Sequence, residues 1–104
     1  MKTLIIENDP EKKIYNDVHC KMIFSSEQDV LEIKFITKEN IIKYVMHNDM
    51  EVKSIFTVLK LVSEIISEDE VAIMDYQERD YVTLKGKGRG QQFTAQRYIE
   101  YCNV

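Results

Sequence analysis

Apolar and polar residues alternate most regularly between Val30 and Thr37, where Leu31, Ile33 and Phe35 are separated by Glu32 and Lys34. A period of two marks a strand with one buried face. Ile42, Tyr44 and Met46 repeat it within Ile41–His47, and the short polar Thr37-Lys38-Glu39-Asn40 between the two runs predicts a hairpin. Thr3–Glu7 and Lys21–Ser25 read as two further short strands. Val71–Tyr76 and Tyr81–Lys85, divided by Gln77-Glu78-Arg79-Asp80, predict a second hairpin.

Elsewhere the spacing is helical. Val52, Ile55, Phe56, Leu59, Val62, Ile65 and Ile66 recur at intervals of three and four, predicting an amphipathic helix over Asp49–Ile66. Asn48 with Glu51 forms a start resembling a capping box. Phe56 and Leu59 are expected on its buried stripe, where truncation to Ala costs about 3–5 kcal/mol. A short helix is predicted from Glu11 to about Val18, with Asp9 as its cap and Pro10 in its first turn. A C-terminal helix is predicted from Phe93 to Cys102 on the spacing of Phe93, Arg97, Tyr98, Tyr101 and Cys102, with a last strand through Gln92 and Phe93 as the competing reading. The expected fold is therefore α+β. It is a single domain over residues 1–104, a mainly antiparallel sheet of four to six strands packed against one long amphipathic helix, with a short C-terminal helix.

Length and composition fit that expectation. A chain of 104 residues, 44% hydrophobic and 31% charged, suits one globular domain that folds without disulfides or metals. The only apolar run near the N-terminus, Leu4–Ile6, is too short for a secretory signal. No stretch approaches the roughly 20 apolar residues of a membrane span. A cytoplasmic protein with two free thiols, Cys20 and Cys102, and no membrane partner is expected.

Charge singles out one segment. Lys85-Gly-Lys-Gly-Arg-Gly-Gln-Gln-Phe-Thr-Ala-Gln-Arg97 contains all 3 glycines of the chain and four basic residues without an acidic one. The formal net charge of the whole chain is −4, so the rest of the body is strongly acidic. Glycines permit close backbone approach to a ligand, and successive N–H groups in such a turn form an anion-binding concavity. Lys85, Lys87, Arg89 and Arg97 would then meet phosphates, with Gly86, Gly88 and Gly90 permitting the approach. The spacing is neither that of a phosphate loop nor that of a dinucleotide fingerprint. The competing reading is a solvated strand-to-helix connector.

The acidic run Glu68-Asp69-Glu70 follows the predicted long helix, where the macrodipole disfavours negative charge. It is the alternative binding site, for a protein partner, and its bland reading is a solvated turn. His19, Cys20 and His47 carry neither zinc spacing nor a recognisable nucleophile arrangement, and no carboxylate pair can be given acid and base roles. No catalytic residue, metal site or cofactor is assigned.

Two local resemblances accompany this reading. MKTLIIENDPE resembles the first strand and acidic loop of response-regulator receiver domains, but no later strand ends in the phospho-acceptor aspartate of that family. Asp75–Lys85 with Phe93–Tyr98 is similar to the final strand region of LytTR-type DNA-binding domains, without the preceding His-Arg-Ser and Asn pattern. Neither family is assigned. The function expected is that of a small non-enzymatic regulatory protein contacting DNA or RNA through segment 85–97. The alternative is an acidic protein-interaction module or inhibitor of a nucleic-acid-binding partner.

Overall fold

The computed structural model describes residues 2–27, 30–47, 55–76, 78–88, 90–96 and 99–103, with backbone alone for 46, 47, 96 and 99–103. Among these residues lie nine strands and one helix: β1 (Thr3–Glu7), β2 (Lys12–Tyr15), β3 (His19–Ser25), β4 (Val30–Ile36), β5 (Ile41–His47), α1 (Ile55–Ile66), β6 (Glu70–Met74), β7 (Tyr81–Gly86), β8 (Gln92–Gln96) and β9 (Ile99–Asn103). The first sheet has the order β2-β1-β6-β7-β8 and the second β3-β4-β5-β9. All pairings are antiparallel except β1 with β6, which runs parallel in the register Thr3↔Glu70 to Glu7↔Met74.

This corrects the expected α+β architecture of one sheet under one long helix. The described residues are mostly β, with two sheets and a single helix of 12 residues among them. Both sheets and the helix feed one core. Leu4, Ile6, Val71, Ile73, Val82, Leu84 and Ala95 come from the first sheet, Leu31, Ile33, Phe35, Ile42 and Tyr44 from the second, and Val58, Val62 and Ile65 from α1. Phe35 and Tyr44 meet edge to face with ring centroids 6.4 Å apart, an arrangement the ring quadrupoles favour.

The β3–β5 meander and the β6–β7 hairpin form where the alternation predicts them. Thr37 closes the β4–β5 turn: its Oγ1 accepts from Asn40 N (2.8 Å) and Glu39 N (3.2 Å), while Thr37 N donates to Asn40 O (2.8 Å). The predicted helix at Glu11–Val18 is instead β2. Asp9–Pro10 is a cis peptide within a turn, and Asn8 N donates to Glu11 O (2.9 Å). The chain then pairs back on β1, with Tyr15 opposite Leu4 and Ile14 opposite Ile5. Ile14 remains 58% exposed, so ladder hydrogen bonds rather than a buried stripe organise this edge.

The predicted C-terminal helix is two strands. Phe93 pairs with Leu84 and Ala95 with Val82 on the core side, while Thr94 pairs with Thr83 on the other. The two threonine hydroxyls lie 3.1 Å apart. β8 belongs to the first sheet, whereas β9 belongs to the second and pairs with β5. The period-two alternation of Phe93-Thr94-Ala95 and the β-forming character of these residues outweigh the helical spacing.

In place of the expected long helix stands the short α1, and its buried face is rotated from the expected one. Val58, Val62 and Ile65 are buried, flanked by Ile55, Leu59, Leu61 and Ile66. Phe56 is 80% exposed. It lies two residues from Val58, about 200° round the axis at 3.6 residues per turn, so the cost expected for Phe56→Ala does not apply. The capping pair Asn48 and Glu51, together with Val52, lies outside the described residues.

Candidate functional site

The glycine segment is a hairpin turn joining β7 to β8, not a strand-to-helix connector. Lys85 is exposed on the outer side of β7, opposite Ala72 and Gln92. Gly86 is buried, and a Cβ there would lie 2.9 Å from Glu68 Cγ and 3.4 Å from the Ile65 carbonyl oxygen. At Gly88 a Cβ would lie 2.5 Å from Glu68 Oε2. Gly90 has φ +66°, the left-handed conformation that side chains resist. The glycines thus serve the contact with the end of α1 and the turn itself. Arg89 and Arg97 lie outside the described residues.

The acidic run is the other half of this contact. Lys87 Nζ sits 3.0 Å from Glu70 Oε2 and Lys87 N donates to Glu70 O. Gln91 Nε2 donates to Glu64 Oε2 (2.8 Å). Lys2 Nζ donates to the Glu68 carbonyl, placing a cation at the helix C-terminus, where the macrodipole favours it. Asp69 is exposed, and its carbonyl accepts from Thr3 N (2.8 Å), locking β1 beside β6. The two segments singled out by charge therefore face each other: Lys87 with Glu70, and Gly86 and Gly88 against Glu68.

A different charge cluster assembles on the outer side of the second sheet. Lys21 is the Cα partner of Lys34, and Lys34 of Lys43, so three lysines stand side by side on adjacent strands. With strands about 4.8 Å apart, the row spans about 10 Å. Like charges directly opposite one another repel and destabilise a sheet. Glu32 supplies the carboxylate nearby: its Oε1 lies 3.7 Å from Lys34 Nζ and 4.0 Å from Lys43 Nζ. The row is bordered by Ile23, Glu32 and Val45 on one side and by His19, Ile36 and Ile41 on the other. By backbone register, β9 adds Cys102 beside Lys43 and Glu100 beside Val45.

Sequence reasoning missed this row because its members lie far apart in the chain. The signal was nevertheless there, since a hairpin turning through Thr37–Asn40 sets Lys34 opposite Lys43.

Other chemistry-bearing residues are accounted for locally. His19 and Cys20 are neighbours on a strand, so their side chains leave opposite faces and cannot act as a pair. Burial pushes the Cys20 thiol up to about 11, so it is protonated at neutral pH and a poor nucleophile. The side chain of His47 lies outside those described. Tyr76 Oη donates to Glu7 Oε2 (3.1 Å), which raises the pKa of the phenol. The Arg79 guanidinium lies over Tyr76 (4.5 Å) and Tyr81 (5.8 Å), closing the β6–β7 turn. Among the described residues no group of three or more His, Cys, Asp or Glu is placed to hold a metal ion. No helix there is long and apolar enough to cross a membrane.

In comparisons with known proteins, the chain matches no family model, no curated protein and no solved structure.

Proposed function

We propose that this is a small non-enzymatic regulatory protein that contacts nucleic acid, and that the contact is made by the Lys21-Lys34-Lys43 face rather than by the glycine hairpin alone. The observation supporting this reading is the in-register lysine row, which sets three lysines across one sheet face with Glu32 in the adjoining row. Mutual repulsion within the row is relieved when phosphates of a polyanion pair with these side chains, and the polyanion's condensed counterions are released to solution. Phosphate contacts of this kind position a strand without reading its sequence. The hairpin favours the reading less, because Lys87 is held by Glu70. The acidic run offers less to a protein partner, since Glu68 and Glu70 are engaged by the hairpin.

The test is anisotropy of labelled single-stranded and duplex DNA and RNA across a salt series. Binding should weaken as salt rises, and Lys34→Ala/Lys43→Ala should flatten the log–log slope by about 1.4–1.8, at roughly 0.7–0.9 per lost phosphate contact. Lys85→Ala/Lys87→Ala should change the slope less. Absence of binding at low salt would reject the proposal. A slope lowered only by the hairpin substitutions would return the site to segment 85–97.

A further inference from the structure

β3 is an edge strand of the second sheet, paired on one side with β4 along all seven of its residues. Among the described residues its opposite edge meets no other strand of either sheet. The core side of β3 is incompletely covered: Cys20, Met22 and Phe24 are half-buried, whereas their partners on β4, Phe35, Ile33 and Leu31, are fully buried. On the outer side Ile23 is 51% exposed. A long strand edge with backbone groups available and apolar side chains half covered is a template for another strand.

From this geometry we infer that the edge is taken by β3 of a second copy, antiparallel about a two-fold axis through Met22. The sequence His19-Cys-Lys-Met-Ile-Phe-Ser25 is compatible with itself in this register. Met22 faces its symmetry mate, Cys20 faces Phe24 of the other copy on the core side, and His19 faces Ser25 on the outer side. Lys21 faces Ile23 of the other copy, so no like charges oppose across the new ladder, and the aliphatic stem of Lys21 covers the exposed Ile23. All seven residues pair. Either neighbouring register that keeps the faces aligned retains only five of the seven, and one of them sets Lys21 against Lys21.

Lysine often guards edges against such pairing, but here it disfavours one alternative register and leaves the central one intact. The resulting dimer joins two copies of the four-stranded sheet into one continuous sheet. It also carries both lysine rows on the same side. The inference stands on the edge geometry and is independent of whether that side binds nucleic acid.

Sedimentation equilibrium over a concentration series tests it. The full chain should reach twice its monomer mass, and Ile23→Lys should remain monomeric with unchanged circular dichroism. Within one copy the new lysine stands beside Glu32, whereas across the dimer it opposes Lys21 twice. A second measurement fixes the register. In a Cys20→Ser/Cys102→Ser background, Lys21→Cys mixed with Ile23→Cys should form an intermolecular disulfide that neither variant forms alone. Directly opposite Cα atoms lie about 4.5–5.5 Å apart, within disulfide reach, and diagonal ones about 7–8 Å apart, outside it. A wild-type chain that stays monomeric at every concentration would overturn the inference and leave the edge to a foreign strand. So would a dimer indifferent to Ile23→Lys, or a disulfide from Lys21→Cys alone.

Discussion

Two charged regions of this molecule are built in opposite ways. In the first sheet, the basic β7–β8 turn lies against the acidic end of α1: Lys87 pairs with Glu70, Gln91 with Glu64, and Gly86 and Gly88 make room for Glu68. In the second sheet, Lys21, Lys34 and Lys43 stand together with Glu32 nearby. The first region is conspicuous in the sequence, and in space its Lys87 is paired with Glu70. The second is dispersed in the sequence and concentrated in space. Strand register, rather than proximity along the chain, decides where a sheet protein accumulates charge.

Substitutions can sharpen this contrast. The largest effect is expected at Gly86→Ala, because the added Cβ meets both Glu68 Cγ and the Ile65 carbonyl. Overpacking of this kind costs about 1–3 kcal/mol, measurable by urea unfolding, and a neutral result would mean that the hairpin is not held against α1. Lys34→Thr should have the opposite sign. It removes the middle charge of the row and should stabilise the fold by about 0.2–1 kcal/mol, even as affinity for polyanions falls. If stability drops instead, the contact of Lys34 with Glu32 outweighs the repulsion. The smallest effect is expected at Lys87→Ala. Its side chain is 77% exposed, and exposed pairs contribute about 0–1 kcal/mol. Raising salt should reduce even that difference, as followed by the shift in urea midpoint.

The parts of the fold legible in the sequence are those where one periodicity dominates. Leu31, Ile33 and Phe35 alternate with charged residues, and they form the centre of the second sheet. Lys12–Tyr15 has no such alternation, and its strand character comes from pairing with β1, a contact that local patterning does not contain. Phe93 satisfies both a helical and an extended pattern, and pairing with Leu84 decides between them. In α1 the apolar residues are so numerous that they surround much of the axis. The buried arc therefore depends on which sheet residues it meets, and Val58 displaces Phe56. For the candidate site, the basic glycine segment was legible as an unusual segment. Its pairing with Glu70 and its fit against Glu68 were not, because both depend on how the β7–β8 turn packs against the end of α1.

The parallel pairing of β1 with β6 also bears on when this chain becomes a protein. Thr3 finds its partner at Glu70, so β1 waits while β3–β5 and α1 emerge. Bringing such distant segments together slows folding more than it lowers stability. A ribosome paused between β5 and β6 would hold a complete β3–β5 meander and an orphaned N-terminal hairpin. The first sheet is assembled from both sides of an insertion formed by β3–β5 and α1, and β9 then completes the second sheet.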